Sequence, residues 1–204
     1  LDEIGGFYNA STSKEVLKVI VKAGSENLAL ASQIVADMVK NPLLRAKDIQ
    51  QEKKIVLEEI HMMEDDPRAT VFDLWEKLLY GDQPAGRPIA GSAETVQKIS
   101  RADLRHHHRD FFVPRASVLV LAGKVNEKTD LRIIDKNFSD WDDSRIKIKD
   151  RVEETQSKPA LAWRAKETDQ THFCLGVRSY NLFSPEKYIL AVLANALGGM
   201  MSSR

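Results

Sequence analysis

Cysteine is nearly absent from this chain of 204 residues. Cys174 is the only one, so no internal disulfide can form, and a reducing, cytoplasmic compartment is expected. Charge of one sign is missing too. Lys plus Arg number 30, Asp plus Glu number 30, and the formal net charge is zero. A balanced chain without a basic stripe provides no global field for nucleic acid or an anionic membrane, and neither is expected as a partner. No stretch approaches the ~18 apolar residues that a bilayer-spanning helix needs, and no secretory leader pattern is visible. What is present is apolar content, 43% of the chain, which supports a core and argues against wholesale disorder.

Asp2 to Gly6 reads as a helix tail stopped by Gly5-Gly6. Phe7–Ser13 reads as a strand or extended segment, and the β-branched-rich Val16–Val21 as the next strand. Helical stripes follow: Leu28, Ala31, Ile34, Val35 and Met38, closed by Asn41-Pro42; a helix over about 46–64, ended near Pro67; and Ala69–Leu79, with Phe72, Trp75 and Leu79 on its buried side. GDQPAGRPIAG is a loop by composition. Short helices are expected over 92–99, behind the SRAD cap to Phe111, and over 127–138. Ala116–Ala122 reads as a buried strand. Residues 146–159 are charged and aperiodic, so they read as a linker between a first body, 1–145, and a second, 160–204. The second body offers strands at 160–166 and 171–177 and a helix over about 185–197. The fold class is α+β, with helices packed on one face of a mostly antiparallel sheet.

The most informative stretch is EKKIVLEEIHMMEDDP, Glu52 to Pro67. Glu52 and Glu59 stand seven residues apart, nearly two turns, and so share one helix face. They lie beside the apolar series Ile49, Val56, Ile60 and Met63. A carboxylate withdrawn from water is costly unless it is paired, hydrogen-bonded or bound to a metal. Two readings are open from the pattern alone: the acids fringe the stripe and reach solvent, or one is a metal ligand with the other as its helper.

Several stretches, in order, resemble the inverted-zinc-motif metallopeptidases, the family of mitochondrial processing peptidase, pitrilysin and insulin-degrading enzyme. They are IGGFYNASTSKE, NPLLRAKDIQQEKKIVLEEI, DDP, GRPIAG, VPRASVLVLAG, DQTHFCLGV and LANALGGMMSSR. The resemblance implies a processing-peptidase-like half-domain followed by the start of a second, similar one. It implies a zinc endopeptidase or oligopeptidase acting on peptides or unfolded segments. Family members hold one Zn2+ through two histidines of an H-x-x-E-H helix and a distant glutamate. By position Glu59 matches that ligand, and Glu52 the assisting acid seven residues earlier. Asn9 and Ala10 match an edge strand with which the substrate pairs.

H-x-x-E-H itself occurs nowhere in the sequence. In the family it lies upstream of the stretch corresponding to LDEIGG, so the chain is expected to be a fragment. Alone it should bind zinc weakly or not at all and be inactive. The rival reading is a non-catalytic partner or scaffold subunit of the same fold. A homo-oligomer, or pairing with a related half or subunit, is the expected assembly. His106-His107-His108 is not expected to hold a metal, since consecutive helical side chains diverge by about 100°. His61 points away from Glu59, and His172 reads as a structural histidine in a strand. Trp75, Trp141 and Trp163 read as core or linker-packing residues.

Overall fold

The computed structural model describes residues 1–142, 146–199, 201 and 203. The expected boundary at residue 145 lies outside these, as do Met200, Ser202 and Arg204 of the LANALGGMMSSR stretch. The chain divides into two compact units, Leu1–Ala162 and Trp163–Arg204.

The first unit opens with a 3-10 turn, Asp2–Ile4, which ends on Gly5 at φ 61°, a left-handed conformation that suits glycine. An antiparallel hairpin follows, β1 (Phe7–Thr12) and β2 (Leu17–Lys22), with Asn9 opposite Ile20 and Ala10 opposite Val19. Then come α1 (Leu28–Lys40), α2 (Ala46–Asp65), α3 (Pro67–Tyr80), α4 (Ala93–Lys98), α5 (Arg101–Phe111) and α6 (Glu127–Phe138). The fold is α+β and helix-rich, and the sheet is this two-stranded antiparallel pair.

Local chemistry sets the helix ends. Asp66 accepts a hydrogen bond from the Arg68 amide, with Pro67 in the first turn of α3. Ser92 and Thr95 form a capping box on α4, and Ser100 and Asp103 one on α5. The Asn126 side chain caps α6 by accepting from the Thr129 amide at 3.2 Å.

Packing joins α1 to α6, and α2 to α3 and α4. The buried apolar residues are Ala31, Ala36, Ile49, Ile60, Val96 and Val113, with the Ser32 hydroxyl among them. Polar contacts reinforce the α1–α6 seam. The Asn137 amide donates to the Ser32 hydroxyl at 2.8 Å, and the Lys40 ammonium donates to the Asn137 carbonyl at 2.8 Å and pairs with Asp140. That pairing holds the Asp140 carboxyl below its usual range. Lys14, in the hairpin turn, pairs with Glu76 of α3 at 2.7 Å. The charged segment from residue 146 is tied down: Lys147 pairs with Asp110, Lys149 with Glu15 at 3.2 Å, and the Gln83 amide brackets the Glu153 backbone at 3.0 and 2.8 Å.

Several expectations need correction. Met38 and Phe72 are 44% and 58% exposed, because each falls on the outer edge of its helix rather than in the seam. Ala116–Ala122 forms no strand: a 3-10 turn covers Pro114–Ala116, and Val118 and Val120 are 89% and 78% exposed. No strand forms at 160–166 or 171–177 either, and Trp163 is exposed rather than packed. The common reason is that a strand exists only with a ladder partner, and none of the described residues pairs with these segments. Among the described residues the second unit has one α-helix, α7 (Lys187–Ala194), continued by a π-helical turn, Asn195–Gly199.

Candidate metal and substrate site

Spacing fixes how α2 presents its side chains. Ile49, Lys53, Val56 and Ile60 recur at intervals of four, three and four and so share one face. Ile49 and Ile60 are buried, and Lys53 and Val56 are half-buried. Glu52 and Glu59 lie about 80° around the helix from that face. Both are exposed, as is Met63, which is therefore not part of the seam. The acids thus fringe the stripe. Among the described residues neither carboxylate makes a hydrogen bond or an ion pair. Two unengaged acids on one flank of an anchored helix leave four oxygens available for a cation or a proton.

Lys53 was not singled out by sequence reasoning. Its ammonium donates to the Gln97 carbonyl at 2.8 Å, in the last turn of α4. The available signal was a lysine interrupting an apolar stripe, between Ile49 and Val56.

The hairpin supplies the second feature. Its turn closes with the Ser13 amide donating to the Val16 carbonyl at 2.9 Å. Hydrogen-bonded and non-hydrogen-bonded pairs alternate along an antiparallel ladder. Ser13, Ser11, Asn9 and Phe7 therefore turn their backbone groups toward β2, and Thr12, Ala10 and Tyr8 turn theirs to the open edge. The outward Ala10 amide donates to the Asn9 side-chain oxygen at 2.9 Å. Every residue of β1 is exposed.

The histidines go elsewhere. His106 pairs with Asp110 at 3.1 Å, His107 meets the Phe111 ring at 4.5 Å, and His108 bonds the Val39 carbonyl at 2.7 Å while stacking on Phe112. His61 is exposed, and His172 is half-buried without the expected strand. Among the described residues no three His, Cys, Asp or Glu side chains gather where they could hold a metal. Zinc takes four donors. The free Glu59 carboxylate fits one of them, and the described residues do not complete the set.

Asp73, on α3, has a carboxyl raised above its usual range: burial comes first, then the charge of Glu76, while Lys14 opposes both. It stands beside the Lys14–Glu76 pair, away from α2's acids in sequence.

Comparison with known proteins supplies the family. The description "Insulinase (Peptidase family M16)" matches residues 1–93, and "Peptidase M16 inactive domain" matches residues 98–204. An uncharacterized zinc protease of Mycobacterium tuberculosis is 34% identical over 207 residues, covering 100% of this chain and 47% of the relative. An uncharacterized zinc protease of Bacillus subtilis is 34% identical over 203 residues, covering 100% of this chain and 49% of the relative. The chain thus spans about half the length of the curated relatives it matches. A protease from Helicobacter pylori shares the fold at a TM-score of 0.69 and 19% identity, over 75% of this chain and 37% of that one. The M16 inactive domain from Pseudomonas fluorescens does so at 0.68 and 18%, over 74% and 37%. The relatives are named zinc proteases, and the resemblance read from IGGFYNAS, the α2 helix and GRPIAG is borne out: the chain belongs to peptidase family M16.

Proposed function

We propose that the chain contributes a metal-ligand helix and a substrate-pairing strand to a zinc-dependent endopeptidase or oligopeptidase of the M16 family. The observation that carries this reading is the pair of free, exposed carboxylates, Glu52 and Glu59, on one flank of an α2 whose adjoining face is buried at Ile49 and Ile60. Glu59 would be one zinc ligand, and Glu52 the acid that assists it. The histidine ligands would come from outside these residues. Bound zinc supplies Lewis-acid chemistry, polarising a carbonyl and activating a water.

The chain's own part is to bind and orient. The open edge of β1, through Tyr8, Ala10 and Thr12, offers backbone groups to an extended peptide. Pairing by backbone accepts many sequences, which suits unfolded segments. The Asn9 side chain would release the Ala10 amide as the peptide enters, exchanging one hydrogen bond for another.

A non-catalytic subunit of the same fold is the second reading. The match of residues 98–204 to an inactive-domain description is the observation on its side. One experiment separates the two. The chain extended by its natural upstream sequence is assayed on a quenched unfolded peptide, with and without a chelator. Chelator-sensitive cleavage that E59Q abolishes is the expected result. No cleavage, in a folded protein whose upstream sequence lacks H-x-x-E-H, favours the scaffold reading.

A further inference from the structure

We infer that Lys53 is a positioning residue for the α2 acids: by tying α2 to the elbow between α4 and α5, it sets the rotation of the helix and hence where the Glu59 carboxylate stands. The inference rests on the reading of Glu59 as a metal ligand.

The buried face of α2, about 80° around the helix from its acids, is apolar except at Lys53. Close packing of Ile49, Val56 and Ile60 holds the helix down but provides no directional bond across the seam. Lys53 adds direction. Among the described residues, it is the side chain between Ile49 and Ile60 with a hydrogen bond to another element, at 2.8 Å to the Gln97 carbonyl. That carbonyl belongs to the last turn of α4, where carbonyls lack intrahelical partners and a cation is favoured. On the other side of the elbow, the Asp103 carboxylate lies close enough to feel the Lys53 charge. Asp103 is itself fixed, accepting from the Ser100 amide at 2.8 Å and from its hydroxyl at 2.7 Å. Lys53 thus reaches one helix end and faces the start of the next, with Val96 buried in the same corner.

Leverage makes the placement matter. A side-chain tip on a helix stands about 6 Å from the axis, so a rotation of about 20° moves it by about 2 Å. Metal-ligand distances tolerate only about 0.2 Å. Glu59 lies six residues beyond Lys53 on one continuous helix, so a rotation released at Lys53 is carried to it.

The test compares four variants of the chain extended by its natural upstream sequence, using zinc alone as the ligand in a chelator competition and peptide turnover as a second readout. K53M keeps the aliphatic stem and loses the donor. It is expected to weaken zinc binding by about tenfold, the scale on which support of a metal ligand acts, and to lower kcat while KM stays within about twofold. K53R, which keeps a cationic donor, is expected to recover most of both. N126A removes the side-chain cap of α6, which packs on α1, and leaves Lys53 and Gln97 in place, so it serves as the purely structural control and should keep zinc affinity within about twofold. Unchanged zinc affinity in K53M, an equal loss in N126A, or no recovery in K53R would overturn the inference. E59Q keeps the two readings apart. Wild-type zinc affinity in E59Q removes the ligand assignment itself, whereas loss in E59Q with none in K53M removes the role of Lys53 alone.

Discussion

Ser32 is 6% exposed, and its hydroxyl has the Asn137 amide as its partner. A buried polar group left unsatisfied costs about 1–3 kcal/mol, so Asn137→Ala is expected to destabilise the chain by about that much in urea denaturation. A loss below about 0.5 kcal/mol, the range of an ordinary surface change, would mean that the α1–α6 seam does not depend on this bond. Asp110 makes a pH-dependent prediction. The hydrogen bond from Lys147 holds its carboxyl below the usual range, with the charges of His106 and Lys147 and a bond from Arg109 adding to it and desolvation opposing. A depressed carboxyl contributes stability above its unfolded pKa and loses it as pH falls through the folded value. Asp110→Asn should therefore melt below wild type at neutral pH, and the gap should close as pH drops below about 4. A gap that stays constant down to about pH 2 would contradict this.

Elements differ in how much of themselves they carry in local sequence. The helix starting behind Ser100 was legible because its cap lies within three residues of what it caps. Ser100→Ala should cost about 1 kcal/mol, read from the melting of α5 by circular dichroism, and no change would argue against the capping box as its anchor. The two strands of the hairpin were legible to within a residue at each end, since strands joined by a short turn pair locally. Ala116–Ala122, Ala160–Lys166 and Thr171–Val177 were misread because strand status depends on a partner far along the chain. At the site, the shared flank of Glu52 and Glu59 followed from helical arithmetic, whereas Lys53's tether to Gln97 requires α4 to be in place and could not be read from α2. The open edge of β1 provides a sharp test. Proline at Ala10 removes an outward amide and spares the ladder, whereas proline at Asn9 removes an inward one. A10P is expected to keep the fold and lose peptide binding, and N9P to lose the hairpin. Equal peptide binding in A10P and wild type would exclude strand pairing at this edge.

At the scale of the whole molecule, much apolar surface is uncovered. None of the described residues from Trp163 onward is buried, and Phe173, Leu175, Phe183, Tyr188 and Val192 are all at least 70% exposed. A unit of about 40 residues rarely folds on a core of its own. Fast hydrogen exchange over 163–199 at low concentration is expected, slowing as light scattering reports association. Slow exchange in a strictly monomeric sample would contradict it. The central claim concerns Glu59, and zinc content tests it most directly. Metal analysis after equilibration with excess zinc and desalting is expected to find well under one zinc per chain for residues 1–204. About one is expected in a longer protein that supplies an H-x-x-E-H helix, and a return to well under one in E59Q of that longer protein, since a four-coordinate site that loses a protein ligand holds zinc poorly. Full zinc occupancy and unchanged affinity in E59Q would contradict the account.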